Sequence, residues 1–235
     1  MKLNILHKDS YSQLTDYYAN LTEPMAILRR QVLETALCGQ LPETAVHVLG
    51  SHAATETAIP KLPAHASILD VGCANGDNLV IMQQLGFEQL SGIDIAPEMV
   101  EAANLRTQQP VHCVDLFDYQ EGNVDVVFAQ AMVHLFPKQE LFTVLRRLMS
   151  LSQQRVYFST TVHEQPSEGL EPKFQVVRYR SRYTEDELLT AIGGAVDSDQ
   201  STRWQAYYFF LTDCLGKRWM NVVLDKVVSL SSSGS

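Results

Sequence analysis

From residue 67 to residue 160, short apolar runs alternate with segments whose apolar residues recur at every third or fourth position. The runs predict strands over 68–71, 89–95, 110–114, 124–129 and 155–160, each long enough for a buried strand and too short for a helix. The periodic segments predict helices over 77–85, 97–103 and 139–149, with a polar turn at 118–123. Alternation of this kind predicts a parallel sheet with helices on both faces.

The flanks read differently. Before residue 60 the pattern is helical: Tyr11, Leu14, Tyr17, Tyr18 and Leu21 share a face, with Asp9 or Ser10 as the expected cap. A second helix is expected from Glu23-Pro24 through Met25, Leu28, Val32, Leu33 and Leu37, stopping near Gly39. Residues 45–52 read as a helix end or a short loop, and 55–62 as a third helix. Past the sheet, 163–172 reads as a loop and 174–183 as an alternating strand at a sheet edge. Thr184 and Glu187 form a capping box for a helix that the Gly193-Gly194 pair is expected to end. Residues 207–211 and 219–224 predict a terminal hairpin turning at 214–217. The expected organisation is a helical lid over 1–62, one α/β domain over 63–228 with an insert at about 161–183, and a flexible tail over 229–235.

Composition narrows the classes. A chain of 235 residues buries one full core. Its net charge of −9 argues against nucleic acid as partner and for a small-molecule or protein substrate. No apolar run approaches the ~18 residues that cross a bilayer, and the polar start carries no secretory signal, so a cytoplasmic protein off the membrane is expected. The four cysteines are scattered without a C-x-x-C pair and the seven histidines show no ligand spacing, so no metal is expected. Association is expected to stop at monomer or homodimer.

The chemistry gathers at Asp70-Val71-Gly72-Cys73-Ala74-Asn75-Gly76, a sharp turn between a strand and a helix. The helix N-terminus there favours a bound anion. A dinucleotide fingerprint starting at Gly72 needs glycines at positions 74 and 77, where the chain has Ala74 and Asp77. This spacing argues against a nicotinamide oxidoreductase. Asp94 ends the next strand about twenty residues on, where an acid grips a nucleotide's ribose diol; its other reading is an N-cap for the helix at Pro97.

The turn resembles D-x-G-x-G-x-G, motif I of the class I S-adenosylmethionine (SAM) methyltransferases, with Ala74 replacing the middle glycine and Gly76 displaced. Gly92-Ile93-Asp94-Ile95-Ala96-Pro97-Glu98-Met99 looks like that family's G-x-D-x-S-x-x-M segment, and residues 125–136 resemble its F-D-x-V segment ending in H-x-L. The resemblance covers about residues 60–228. It implies a Rossmann-like seven-stranded sheet, mostly parallel and closed by an antiparallel C-terminal hairpin. It also implies that Asp70, Gly72, Ala74, Gly76, Asp94, Ile95, Met99, Asp115, Leu116 and Gln130 bind SAM, whose product is S-adenosylhomocysteine (SAH). Asp115 would accept from the adenine amine, with Ile95 and Met99 against the ring. His134 falls where the family places a base or substrate orienter. Acceptor contacts are sought at Tyr17, Tyr18, His163, Arg178 and Tyr183, the arginines of 174–183 suiting an anion or a solvated strand face.

The expected function is transfer of a methyl group from SAM to a nitrogen or oxygen nucleophile of a small molecule by in-line displacement. The alternative is a silent protein on the same fold that acts as a binding or regulatory partner.

Overall fold

The computed structural model describes residues 3–14, 22–40, 44–49 and 59–227. Tyr17, Tyr18 and the first half of the expected third helix lie outside them, and its described half, 59–62, is not helical.

The strands are β1 (His47–Val48), β2 (Ser67–Val71), β3 (Gln89–Asp94), β4 (Val111–Cys113), β5 (Val124–Ala129), β6 (Ser152–Thr161), β7 (Ser167–Lys173), β8 (Val176–Arg182), β9 (Trp204–Thr212) and β10 (Arg218–Lys226). The helices are α1 (Leu3–Ser12), α2 (Glu23–Cys38), α3 (Asp77–Gln84), α4 (Pro97–Thr107), α5 (Leu141–Leu151) and α6 (Glu185–Asp197). The main sheet has eight strands in the order β1-β9-β10-β6-β5-β2-β3-β4. β2 to β6 pair in parallel, whereas β10, β9 and β1 add antiparallel. β7 and β8 form a separate hairpin.

Side chains on successive strand residues point to opposite faces, and the core divides accordingly. Leu69, Val71, Val127, Val156 and Phe158 meet the stripe Leu141, Val144, Leu145, Leu148 of α5 and Leu188 and Ile192 of α6. Ile68, Val126, Phe128 and Tyr157 meet Leu33 and Leu37 of α2, Leu79 and Met82 of α3 and Ala103 of α4. The expected lid helix α2 is therefore part of the core on one face.

Four expectations change. The segment at 45–52 supplies β1, an eighth strand, so the first sixty residues are not wholly a lid. The loop expected at 163–172 holds β7, whose exposed polar residues hid it, and the 174–183 strand pairs with β7 instead of edging the main sheet. α6 runs through Gly193-Gly194 to Asp197, because Ile192 and Ala195 are buried and hold the last turns down, offsetting the ~1 kcal/mol that a glycine costs in a helix. α1 begins before Asp9 and Ser10, and Ser10 Oγ instead donates to the Val177 carbonyl at 2.6 Å. The Thr184–Glu187 capping box and the left-handed Gly39 that ends α2 form as read.

One buried cation ties α2 to the sheet. Arg155 donates to Asp225 Oδ1 and Oδ2 at 2.5 and 2.6 Å and to the Ala36 carbonyl at 2.7 Å, from a site only 2 % exposed. Arg155→Ala strands Asp225 and the carbonyl, and is expected to cost about 3–5 kcal/mol in chemical unfolding; a loss below about 1 kcal/mol contradicts that role.

Candidate functional site

In an open parallel sheet, ligands sit beyond the carboxyl ends of the strands. β2, β3, β4 and β5 end there in Val71, Asp94, Cys113 and Ala129. After β2 the chain reverses through three left-handed residues, Gly72 (φ 70°), Ala74 (φ 48°) and Gly76 (φ 81°). A Cβ on Gly76 would stand 2.6 Å from Thr107 Cγ2, so the displaced glycine of this turn is needed where it is. The amides of Gly72 and Cys73 donate to the Ile93 carbonyl at 2.8 and 3.1 Å, which holds the turn against the end of β3.

Asp94 completes that junction. Its Oδ2 accepts from the Ala74 amide at 2.9 Å and its Oδ1 from the Ala96 amide at 2.9 Å. Asp94 therefore braces the start of α4 and the glycine turn together, but it is not the expected N-cap: that position is Ala96, and no side chain caps the helix. Burial pushes its carboxyl above the usual range, and the amides work against that shift.

Asp70 is fully buried below the turn. Asn78 Nδ2 donates to its Oδ1 at 3.3 Å, and its Oδ2 has no hydrogen-bond partner. Burial raises its pKa to about 7, opposed by the Asn78 bond. An orphaned carboxylate oxygen here is a place for a cationic or donor group of a ligand.

A cavity of about 430 Å³ opens over these residues. Gly72, Ala74, Asp94, Ile95, Asp115, Leu116 and Gln130 all line it. Asp115 Oδ1 also accepts from the Phe117 amide at 2.8 Å, an Asx turn that fixes the acid at its strand end. Gln130 follows β5 and precedes Ala131, whose φ of 57° is a second left-handed non-glycine position in the wall. Asp70 and Gly76 lie under the wall. Met99 is buried among Leu14, Ala96 and Val176 and does not reach the cavity.

The expected acceptor residues are placed elsewhere. His134 is 4 % exposed, on a 3-10 turn at Val133–Leu135, with its ring 6.5 Å from that of Trp219. It stands behind the wall, and burial lowers its pKa well below the usual value, with Arg180 and Arg178 adding to the shift. Tyr183 is in the core, and His163 Nε2 bonds Thr161 Oγ1 at 3.0 Å outside the wall. Arg178 reaches the cavity only through Tyr11, whose hydroxyl lies 3.4 Å from its Nη1.

The rest of the wall is built by residues without a motif. His7 and Tyr11 come from α1, Met25, Leu28 and Arg29 from α2, Ser159 from β6, and Trp219 and Asn221 from β10. Arg29 Nη1 stands 3.4 Å from Asn78 Oδ1 and 3.5 Å from Asp77 Oδ2, over the start of α3. His7 Nε2 bonds the Leu135 carbonyl at 2.9 Å, and its Nδ1 is buried without a partner. Within each element the spacing puts neighbours on one face, His7 with Tyr11, Met25 with Leu28 and Arg29, and Trp219 with Asn221, but no sequence signal brings the three elements together. Among the described residues no group of three or more His, Cys, Asp or Glu is placed to hold a metal, and no helix is long and apolar enough to cross a membrane.

Residues 69–152 match a family described as "Methyltransferase domain". Over 104 residues the chain is 33% identical to the ubiquinone biosynthesis O-methyltransferase of Xanthomonas axonopodis pv. citri (strain 306). That match covers 41% of this chain and 43% of the relative, so it spans less than half the relative's length. The fold is similar to that of DhpI in its complex with SAH, with a TM-score of 0.63 over 95% of this chain and 97% of that one at 14% identity. It is also similar to the 1,6-didemethyltoxoflavin-N1-methyltransferase of Burkholderia thailandensis with bound 1,6-didemethyltoxoflavin and SAH (TM-score 0.55, 16% identity, 70% and 72% covered). The magnesium protoporphyrin IX methyltransferase of Synechocystis PCC 6803 with bound SAM gives a TM-score of 0.52 at 18% identity over 68% and 70%.

Because Asp70 is protonated more readily folded than unfolded, it favours the fold below its unfolded pKa of 3.8, and that contribution is lost as pH rises through about 7. Asp70→Asn is therefore expected to flatten the fall in stability across this window, measured by urea unfolding as a difference from the parent. Parallel curves would contradict the raised pKa.

Proposed function

We propose that this chain, which carries a methyltransferase domain over residues 69–152 on the class I SAM-dependent fold, moves a methyl group from SAM to a nitrogen or oxygen nucleophile of a small molecule. The observation that carries the reading is Asp94 in the cavity wall, its two oxygens locked by amides of the glycine turn and of α4. Asp115 stands beside it, past the end of β4. The residues fit the cofactor. Asp94 would take the ribose hydroxyls, while Asp115, Ile95 and Leu116 would take the adenine. Arg29 would face the amino-acid carboxylate at the start of α3, and the Asp70–Asn78 pair the ammonium that its orphaned oxygen lacks.

When bound, SAM supplies a methyl group made electrophilic by its sulfonium, with a neutral thioether to leave. The protein's own part is alignment and exclusion of water. α1 and α2 close the cavity above Gln130, Ser159 and Trp219, and holding an acceptor in line there is worth up to about 7–11 kcal/mol in well-oriented systems. A hydroxyl or ammonium nucleophile must also lose a proton. His7 is the placed group. The Leu135 carbonyl can only accept, so Nε2 carries the proton and Nδ1 keeps the lone pair. Burial lowers the His7 pKa, which keeps the ring neutral and ready to take a proton. His134 acts at one remove, in the turn that presents the Leu135 carbonyl.

Asp94→Ala is expected to weaken SAH binding about tenfold to a hundredfold by isothermal titration calorimetry; equal affinity contradicts the ribose role. On an acceptor found by SAH release across a panel of amines and hydroxy compounds, His7→Asn is expected to lower kcat by about 10²–10⁴ with little change in the KM for SAM. Unchanged kcat removes the base. SAH binding with no turnover across the panel favours the silent binding partner instead.

A further inference from the structure

For a chain of net charge −9, one corner of the molecule is notably cationic. Arg178, Arg180 and Arg182 alternate along β8 and share a face. All three turn to a single carboxylate. Glu171 Oε1 accepts from Arg178 Nη2 at 2.7 Å and lies 3.5 Å from Arg180 Nη1, and its Oε2 accepts from Arg182. Lys173, two residues along β7, adds a fourth basic group, with its Nζ 5.6 Å from the centre of the Tyr11 ring. Burial and the neighbouring guanidinium groups hold Lys173 down to about 7. The Arg178 and Arg180 side chains are only 9% and 11% exposed, and Arg180 Nε is buried without a hydrogen-bond partner. One carboxylate does not balance three guanidinium groups, and buried charge is ordinarily matched.

The cluster abuts the acceptor end of the cavity at two points. Arg178 Nη1 stands 3.4 Å from the Tyr11 hydroxyl, and Tyr11 lines the cavity. That separation exceeds the 2.7–2.9 Å usual when a guanidinium meets an anionic oxygen. Arg180 Nη2 donates to Thr161 Oγ1 at 2.7 Å. Thr161 lies on the same face of β6 as the wall residue Ser159 and opposite the wall residue Trp219 on β10. Of the other titratable groups nearby, His7, His134, His163, Tyr11 and Lys217 bring no negative charge at neutral pH. Glu168 is engaged by Tyr179 and Ser181, the β8 residues between the arginines, and Asp94, which acts on Tyr11 from the cavity wall, is engaged by the Ala74 and Ala96 amides.

We propose that Arg178 and Arg180, with Lys173 beside them, receive an anionic group of the acceptor, a carboxylate or a phosphate, and so set which small molecules this site methylates. The planar guanidinium fork matches both groups. An anionic oxygen replaces the long Tyr11 contact at Arg178 and gives Arg180 Nε the partner it lacks. The substrate class rests on the methyltransferase reading; the anion site itself does not.

The test is calorimetry on the full chain at constant ionic strength, with and without saturating SAH, titrating inorganic phosphate, succinate and, as an uncharged control, glycerol. Saturable binding of phosphate or succinate without glycerol binding is expected, and which anion binds assigns the group. Arg180→Met is expected to weaken it about tenfold or more while SAH affinity holds, and Arg180→Lys to lose less. Should Arg180→Met fail to fold by thermal unfolding, Arg180→Lys and Lys173→Met carry the comparison. No binding of either anion, or equal binding by the variants, overturns the anion site. Failure of SAH alone overturns the methyltransferase reading and leaves the anion result standing.

Discussion

The structure turns on a carboxylate that accepts from two backbone amides, Asp94 between Ala74 and Ala96. Those two bonds tie the turn after β2 to the start of α4, and they offset part of the cost of holding a charge in a desolvated place. They also explain a backbone irregularity. Ala74 presents its amide to Asp94 from a left-handed conformation that costs a non-glycine residue about 1–2 kcal/mol. Ala131, after Gln130, pays a similar cost. Both line the cavity, where strain of this kind is held in place by the surrounding structure.

From that junction the cavity takes its polarity. Asp94 and Asp115 stand in the wall with Asp70 beneath, and the cations of the β7–β8 hairpin stand behind Tyr11. The same hairpin holds α1 over the opening, through Ser10 to the Val177 carbonyl and Tyr11 to Arg178. His7 adds a third tie, to the Leu135 carbonyl. The residues that hold the cover and the proposed anion site thus share one hairpin.

The parallel half of the sheet and the acids at its strand ends were legible because each rests on a local rule. A buried strand, a tight turn and an amphipathic helix leave their marks within about twenty residues, and Asp70, Asp94 and Asp115 follow in order. β7 was not legible, since a hairpin with exposed faces carries no apolar alternation. Met99 has the right spacing for the adenine ring, but Leu14 and Val176 bury it elsewhere. His134 matched a motif, yet its turn faces it inward and presents the next carbonyl to His7. His7, Arg29, Trp219 and Asn221 meet only through long-range packing, and no spacing in one chain reports that.

The most direct measurement is a crystal structure of the chain grown with SAH. The account predicts both ribose hydroxyls within hydrogen-bond distance of the Asp94 carboxylate, the adenine beside Asp115 and Leu116, and the sulfur facing a space bounded by His7, Ser159 and Trp219. SAH bound elsewhere, or an Asp94 turned away from the ribose, would contradict it.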